Sequence, residues 1–122
     1  MSIHASFVLA VSDLSAERAF YRDVVGLGDP VLNSNVWVEF ALDDGSSFCL
    51  EKATADKAAL PPVGRTGLLF LVESVDEFDK RYREHGFDGE SAGIPCDQTG
   101  IHARQYPDPE GNLFRVTDRR LR

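Results

Sequence analysis

The chain is poor in the features that mark several large classes of protein. It has two cysteines, one tryptophan, one methionine and three histidines in 122 residues. Cys49 and Cys96 are far apart, in no CxxC pair and no Cys/His cluster with zinc spacing. A zinc module is therefore excluded, and reduced thiols in a cytoplasmic protein are expected. No apolar run approaches the roughly 18 residues that suggest a membrane span. The opening, MSIHASFVLAV, lacks a basic leader segment, which adds to the cytoplasmic expectation and argues against a membrane partner. Cations are scarce too: 13 Lys and Arg face 20 Asp and Glu, for a formal net charge of −7. Neutralising phosphates along a duplex takes clustered Lys and Arg, so no nucleic-acid partner is expected.

What is present is the balance of an ordinary globular protein, 43% hydrophobic and 27% charged, long enough for a single domain over 1–122. In IHASFVLAV, alternate residues are apolar, which predicts a strand. DLSAERAFYRDVVG then places Ala16, Ala19, Phe20 and Val24 on one helical face, with Asp13 or Ser15 able to cap its start and Gly26 past its end. Two further strands, NVWVEFAL and SSFCLEKA, flank the turn DDGS. After the connector ATADKAALPPVGR the order restarts. GLLFLVE reads as a strand, and SVDEFDKRYREHG as a helix with Ser74 and Glu77 at capping-box spacing. Its apolar stripe is Val75, Phe78 and Tyr82. IHARQY, the turn PDPEGN and LFRVTD close the chain.

The two halves also match residue by residue. Setting LAVSDLSAERAFYRD against FLVESVDEFDKRYRE pairs Val11 with Val72, Tyr21 with Tyr82, Arg22 with Arg83 and Asp23 with Glu84. Hairpins pivoting on Gly45 and Gly111 follow in both. A duplicated unit is expected, with modules at 1–60 and 61–122. Each module is one strand, one helix and two or three strands, an α+β arrangement with one sheet face under the helix and the other left for a second layer or a ligand.

VLAVSDLSAERAFYRDVVGLG resembles the opening of the vicinal oxygen chelate superfamily, which includes glyoxalase, bleomycin-resistance and extradiol dioxygenase proteins. The signature residues here are Val11, Asp13, Leu14, Phe20, Tyr21, Leu27 and Gly28. YPDPEGNLFRV is similar to the closing motif of that superfamily, with Asp108, Pro109, Gly111 and Asn112 matching. The resemblance covers essentially the whole chain. It implies paired βαβββ modules forming an open barrel-like cup, and a homodimer. In catalytic members it also implies a divalent metal held by His, Gln or Glu from equivalent strands.

Carried over one at a time, the ligand positions fall on Ser6, Cys49, Gly67 and Arg115. Glycine offers no side chain, and an arginine cannot be deprotonated in a protein. Hard divalent ions need several oxygen or nitrogen donors, so no metal and no cofactor is expected at these positions. A relocated site using His4, Glu51 and His102 is the alternative.

Alternation puts Leu113, Arg115 and Thr117 on one side of the last strand and Phe114 and Val116 on the other. If the resemblance holds, Arg115 points into the cup. It then needs a partner: either a protein carboxylate such as Glu39, Glu51 or Glu73, or an acidic group on a ligand. Val8, Leu69, Leu71 and Leu113 supply apolar wall, and Trp37 and Tyr106 are candidates to stack on a flat ligand. A cation beside Cys49 would lower its pKa and make it reactive, but a buried inert thiol is the favoured reading. The ligand-binding candidates are thus Arg115, Trp37, Tyr106, Cys49, Ser6, His4 and His102. The expected function is that of a metal-independent small-molecule binding protein of the glyoxalase/bleomycin-resistance type, sequestering a drug or metabolite. The acidic surface would suit a cationic drug. The alternative is a divalent-metal-dependent lyase, isomerase or dioxygenase with a rearranged site. A third reading is a structural or regulatory domain whose cup is filled.

Overall fold

The computed structural model describes residues 3–53, 65–88, 92–96 and 101–118, with the backbone alone given for 65, 92–96, 101 and 102. The chain divides into two compact units, Met1–Pro62 and Val63–Arg122. In the first, β1 (Ser6–Val11) leads into α1 (Leu14–Ala19), followed by β2 (Leu32–Asn33), β3 (Trp37–Ala41) and β4 (Ser47–Lys52). In the second, β5 (Arg65–Leu71) leads into α2 (Val75–Glu84), followed by β6 (Ala92–Cys96), β7 (Ile101–Pro107) and β8 (Leu113–Thr117).

Among the described residues each unit holds a four-stranded sheet, ordered β1-β4-β3-β2 in one and β5-β8-β7-β6 in the other. The first and last strands of each unit run parallel, because the helix carries the chain back across the sheet between them. The remaining neighbours are antiparallel. The edge strands are β2, only two residues long, and β6, whose AGIPC contains a glycine and a proline, so neither gives a strand signal in the sequence.

Each helix starts as its sequence predicts. The Asp13 carboxylate accepts from Ala16 N at 3.0 Å, and Ser74 Oγ accepts from Glu77 N at 3.2 Å. Beyond Ala19 the two helices differ. Phe20–Val25 winds as a π-helix that ends with Gly26 N donating to Tyr21 O. The extra residue per turn brings the adjacent pairs Phe20 and Tyr21, and Val24 and Val25, all into the core. The expected stripe of Ala16, Ala19, Phe20 and Val24 is therefore only half right: both alanines are half-buried, while Tyr21, Val25 and Glu17 are inside.

Aromatic packing seals each helix to its sheet. In the first unit the Tyr21 ring lies 4.7 Å from that of Phe48. In the second, Phe78 and Tyr82 of α2 lie 5.1 and 4.8 Å from Tyr106, and Phe78 also meets Phe114 edge-on. Such contacts add about 0.5–1.5 kcal/mol beyond the area they bury. Two hydroxyls complete the seam: Tyr82 donates to Pro107 O and Tyr106 donates to Asp79 Oδ1, both at 2.9 Å. Asp79 is itself clamped by Arg83 Nε at 3.0 Å, one helical turn on.

Burial and the Asp79 carboxylate push the Tyr106 phenol from 10.0 up to about 12. A raised pKa means that the protonated form is favoured by folding. Its contribution is complete below the unfolded pKa and is lost as pH rises through the folded one. Stability should therefore fall by about 2–3 kcal/mol between pH 10 and pH 12 on account of this one group. Urea unfolding across that window should show the drop in the wild type and its absence in Tyr106→Phe. An equal drop in both would contradict the assignment.

Candidate functional site

Because the helices occupy one face of each sheet, the chemistry-bearing residues collect on the other. On β8, Phe114 and Val116 are buried toward α2 while Arg115 is exposed. The turn before it is held by Asp108, whose Oδ1 accepts from Glu110 N and Asn112 N at 2.9 Å each. Gly111 supplies the left-handed corner at φ 85°. This hairpin fixes Arg115 opposite Gln105 on β7, and the parallel pairing fixes it opposite Leu69 on β5. Leu69, Arg115 and Gln105 thus form one row across the helix-free face. Leu71, 59% exposed, and Leu113 flank it.

Gly67 precedes this row in an irregularity of β5, at φ 79°. Thr66 closes it by donating to Leu113 O at 2.9 Å and accepting from Leu68 N at 3.0 Å. At this first-strand metal position the backbone itself opposes a side chain.

The corresponding row of the first unit is Val8, Cys49 and Glu39. Next to it lies the row Ala10, Glu51 and Trp37, with Trp37 half-buried on the helix-free face. Ser6 stands opposite Ser47, and their hydroxyls are hydrogen-bonded. Cys49 is a buried free thiol whose Sγ donates toward Glu39 Oε1 at 3.7 Å. Burial pushes its pKa up; Ser47 offsets this in part, and the Glu39 carboxylate adds to it. Within its own unit Cys49 is thus a buried thiol kept protonated, in line with the inert reading rather than the reactive one.

Three expectations change. Tyr106 faces α2, fully buried with its hydroxyl on Asp79, so it is not a stacking residue of the helix-free face. Its pairing with Phe114 across the hairpin explains why: directly opposed residues share a face. The His4 ring stands against Gly45, 3.6 Å from where a β-carbon there would lie. Glu51 lies at the far end of β4, roughly 20 Å away at about 3.3 Å per residue. Metal–oxygen bonds are about 2–2.6 Å long, so His4 and Glu51 do not share an ion. The His102 side chain lies outside the described residues. Finally, of the carboxylates weighed as partners for Arg115, Glu73 belongs to the same unit and does not pair with it. Among the described residues of that unit the Arg115 side chain has no ion pair or hydrogen bond.

The donor set at the four expected metal positions does not suit a divalent cation. It comprises a serine hydroxyl engaged with another serine, a protonation-favoured thiol, a glycine and a guanidinium. Gln105 was missed in the sequence. Counting strand residues back from the DPEGN turn places it opposite Arg115, and that count was the signal available.

The sequence model of the Glyoxalase/Bleomycin resistance protein/Dioxygenase superfamily matches residues 4–116. The chain belongs to this superfamily. Among solved structures, lactoylglutathione lyase from Agrobacterium tumefaciens is similar at 26% identity and a TM-score of 0.74, over 96% of this chain and 93% of that one. The bleomycin resistance determinant encoded on transposon Tn5 is 19% identical at a TM-score of 0.69, over 98% and 100% of the two chains. An antibiotic-binding protein from Streptomyces sp. CB03234 is 24% identical at a TM-score of 0.69, over 96% and 95%. Nothing matches among curated proteins. The α+β glyoxalase/bleomycin-resistance fold is thus shared with proteins whose names describe both catalysis and drug binding.

A buried, protonation-favoured Cys49 should resist alkylation by iodoacetamide at neutral pH. Mass spectrometry should find it modified at least about tenfold more slowly in the folded than in the urea-unfolded protein, since the thiolate is the reacting species. Labelling at comparable rates would contradict the geometry.

Proposed function

We propose that this chain is a metal-independent small-molecule binding protein that anchors an acidic group of its ligand on Arg115. One observation carries the reading: an exposed guanidinium stands at the closing-strand metal position, without a partner in the described part of its own unit. A guanidinium grips a carboxylate, sulfonate or phosphonate through two parallel hydrogen bonds, and the Gln105 amide beside it can donate another. Leu69, Leu71 and Leu113 offer apolar surface to the body of the ligand. The first unit's own helix-free face carries Val8, 44% exposed, and the half-buried Trp37. The net charge of −7 opposes a heavily anionic compound, so the fitting ligand is apolar with a single acidic group.

Drug or metabolite sequestration follows the names of the Tn5 determinant and the Streptomyces protein. No helix among the described residues is long and apolar enough to cross a membrane. The homodimer and the cytoplasmic setting expected from the sequence belong to this same proposal. A rearranged metalloenzyme is disfavoured by the separation of His4 from Glu51.

Anilinonaphthalene sulfonate, an aromatic ring system with one acidic group, is a suitable probe. It should bind the native protein saturably, and Arg115→Gln should weaken it about tenfold or more, the usual scale of a charge-assisted bond. N-phenylnaphthylamine, which lacks the sulfonate, should be affected little by the same substitution. Unchanged sulfonate affinity in Arg115→Gln would overturn the assignment.

A further inference from the structure

A second concentration of uncompensated positive charge lies in the first unit, away from the sheet face that carries Cys49. Residues 1–62 contain only four basic residues, Arg18, Arg22, Lys52 and Lys57, against nine acidic ones. Arg22 is neutralised by both oxygens of Asp23, each at 2.9 Å. Arg18 and Lys52 instead line one cavity of about 420 Å³, together with Ser12, Ser15 and Asn35. Neither cation has a carboxylate partner among the described residues.

The cavity is assembled by the fold. Parallel pairing sets Lys52 beside Val11, so it sits where β1 and β4 both end. Crevices at the carboxyl ends of parallel strands are common ligand positions. Lys52 N donates to Val36 O at 2.9 Å, which ties the Asn35 loop to the same end of the sheet. Arg18 is held from two sides by neutral acceptors, Asn33 Oδ1 at 2.9 Å and Ser15 Oγ at 3.5 Å. These bonds orient the guanidinium without cancelling its charge. One carboxylate, Asp13, also lines the cavity; its Oδ1 accepts from Ala16 N. Two cations against one engaged carboxylate leave a net positive site within an acidic unit.

We infer that this cavity binds a phosphate group, free or carried by a small ester, between Arg18 and Lys52. Phosphate matches two cations lining one cavity with hydroxyl and amide donors beside them. The volume lies within the range of small-ligand sites and exceeds what a bare anion fills, which favours the ester.

Calorimetric titration at low salt with inorganic phosphate and, separately, phenyl phosphate tests this. Both should bind saturably, and Lys52→Met and Arg18→Gln should each weaken binding about tenfold. Arg22→Gln should leave it unchanged, since Arg22 does not line the cavity and is paired with Asp23. Tighter binding of phenyl phosphate would assign an ester, and equal affinity free phosphate. Lys52 is exposed on a strand end, so its substitution does not depend on refolding the core. Absence of saturable binding, or equal losses in Lys52→Met and Arg22→Gln, would overturn the site. Loss confined to Arg115→Gln would place the phosphate elsewhere and overturn it as well.

Discussion

The constraint on which the rest of this structure depends is the sealing of one face of each sheet by a helix through aromatic side chains. Phe78 and Tyr82 of α2 are packed against Tyr106 and Phe114, with hydroxyl bonds to Pro107 O and Asp79 at the seam. Strand side chains alternate with period two, so a slip of one residue in β8 would expose Phe114 and bury Arg115 under the helix. Burying an unpaired guanidinium is among the most costly changes available to a protein. The aromatic seam therefore dictates where the cation goes. Its presence on the helix-free face follows from core packing before any ligand is considered.

This explains which parts of the fold and site were legible. The side of β8 that carries Arg115 could be read from alternation alone, and the helix starts from Asp13 or Ser15 and from Ser74, because each depends on local spacing. Tyr106 was misplaced because its face depends on register across the hairpin, and only its pairing with Phe114 shows it. The π-helical winding after Ala19 has no local signature; what decides it is the packing of Phe20, Tyr21, Val24 and Val25 together. For Cys49 the spacing left a reactive and an inert thiol open; within its own unit, burial and the Glu39 carboxylate both favour the protonated, inert form. The distance between His4 and Glu51 likewise emerges only once β1 and β4 are laid side by side.

The two units have the same strand order and equivalent rows on their helix-free faces, yet opposite chemistry. Val8, Cys49 and Glu39 in one correspond to Leu69, Arg115 and Gln105 in the other. An apolar residue opens each row, while the polar members pass from acid and thiol to cation and amide. The superfamily fold tolerates such exchange because the helix-covered core fixes the backbone independently of what the other face carries. At Gly67 the divergence extends to the backbone, whose left-handed conformation disfavours any ligating side chain.

The central proposal is that the Arg115 guanidinium, rather than a metal, serves as the organising charge. Elemental analysis of protein purified without a histidine tag, after dialysis against manganese and nickel and thorough buffer exchange, tests it most directly. The account predicts far less than one ion per chain. Stoichiometric metal that survives the exchange would contradict it.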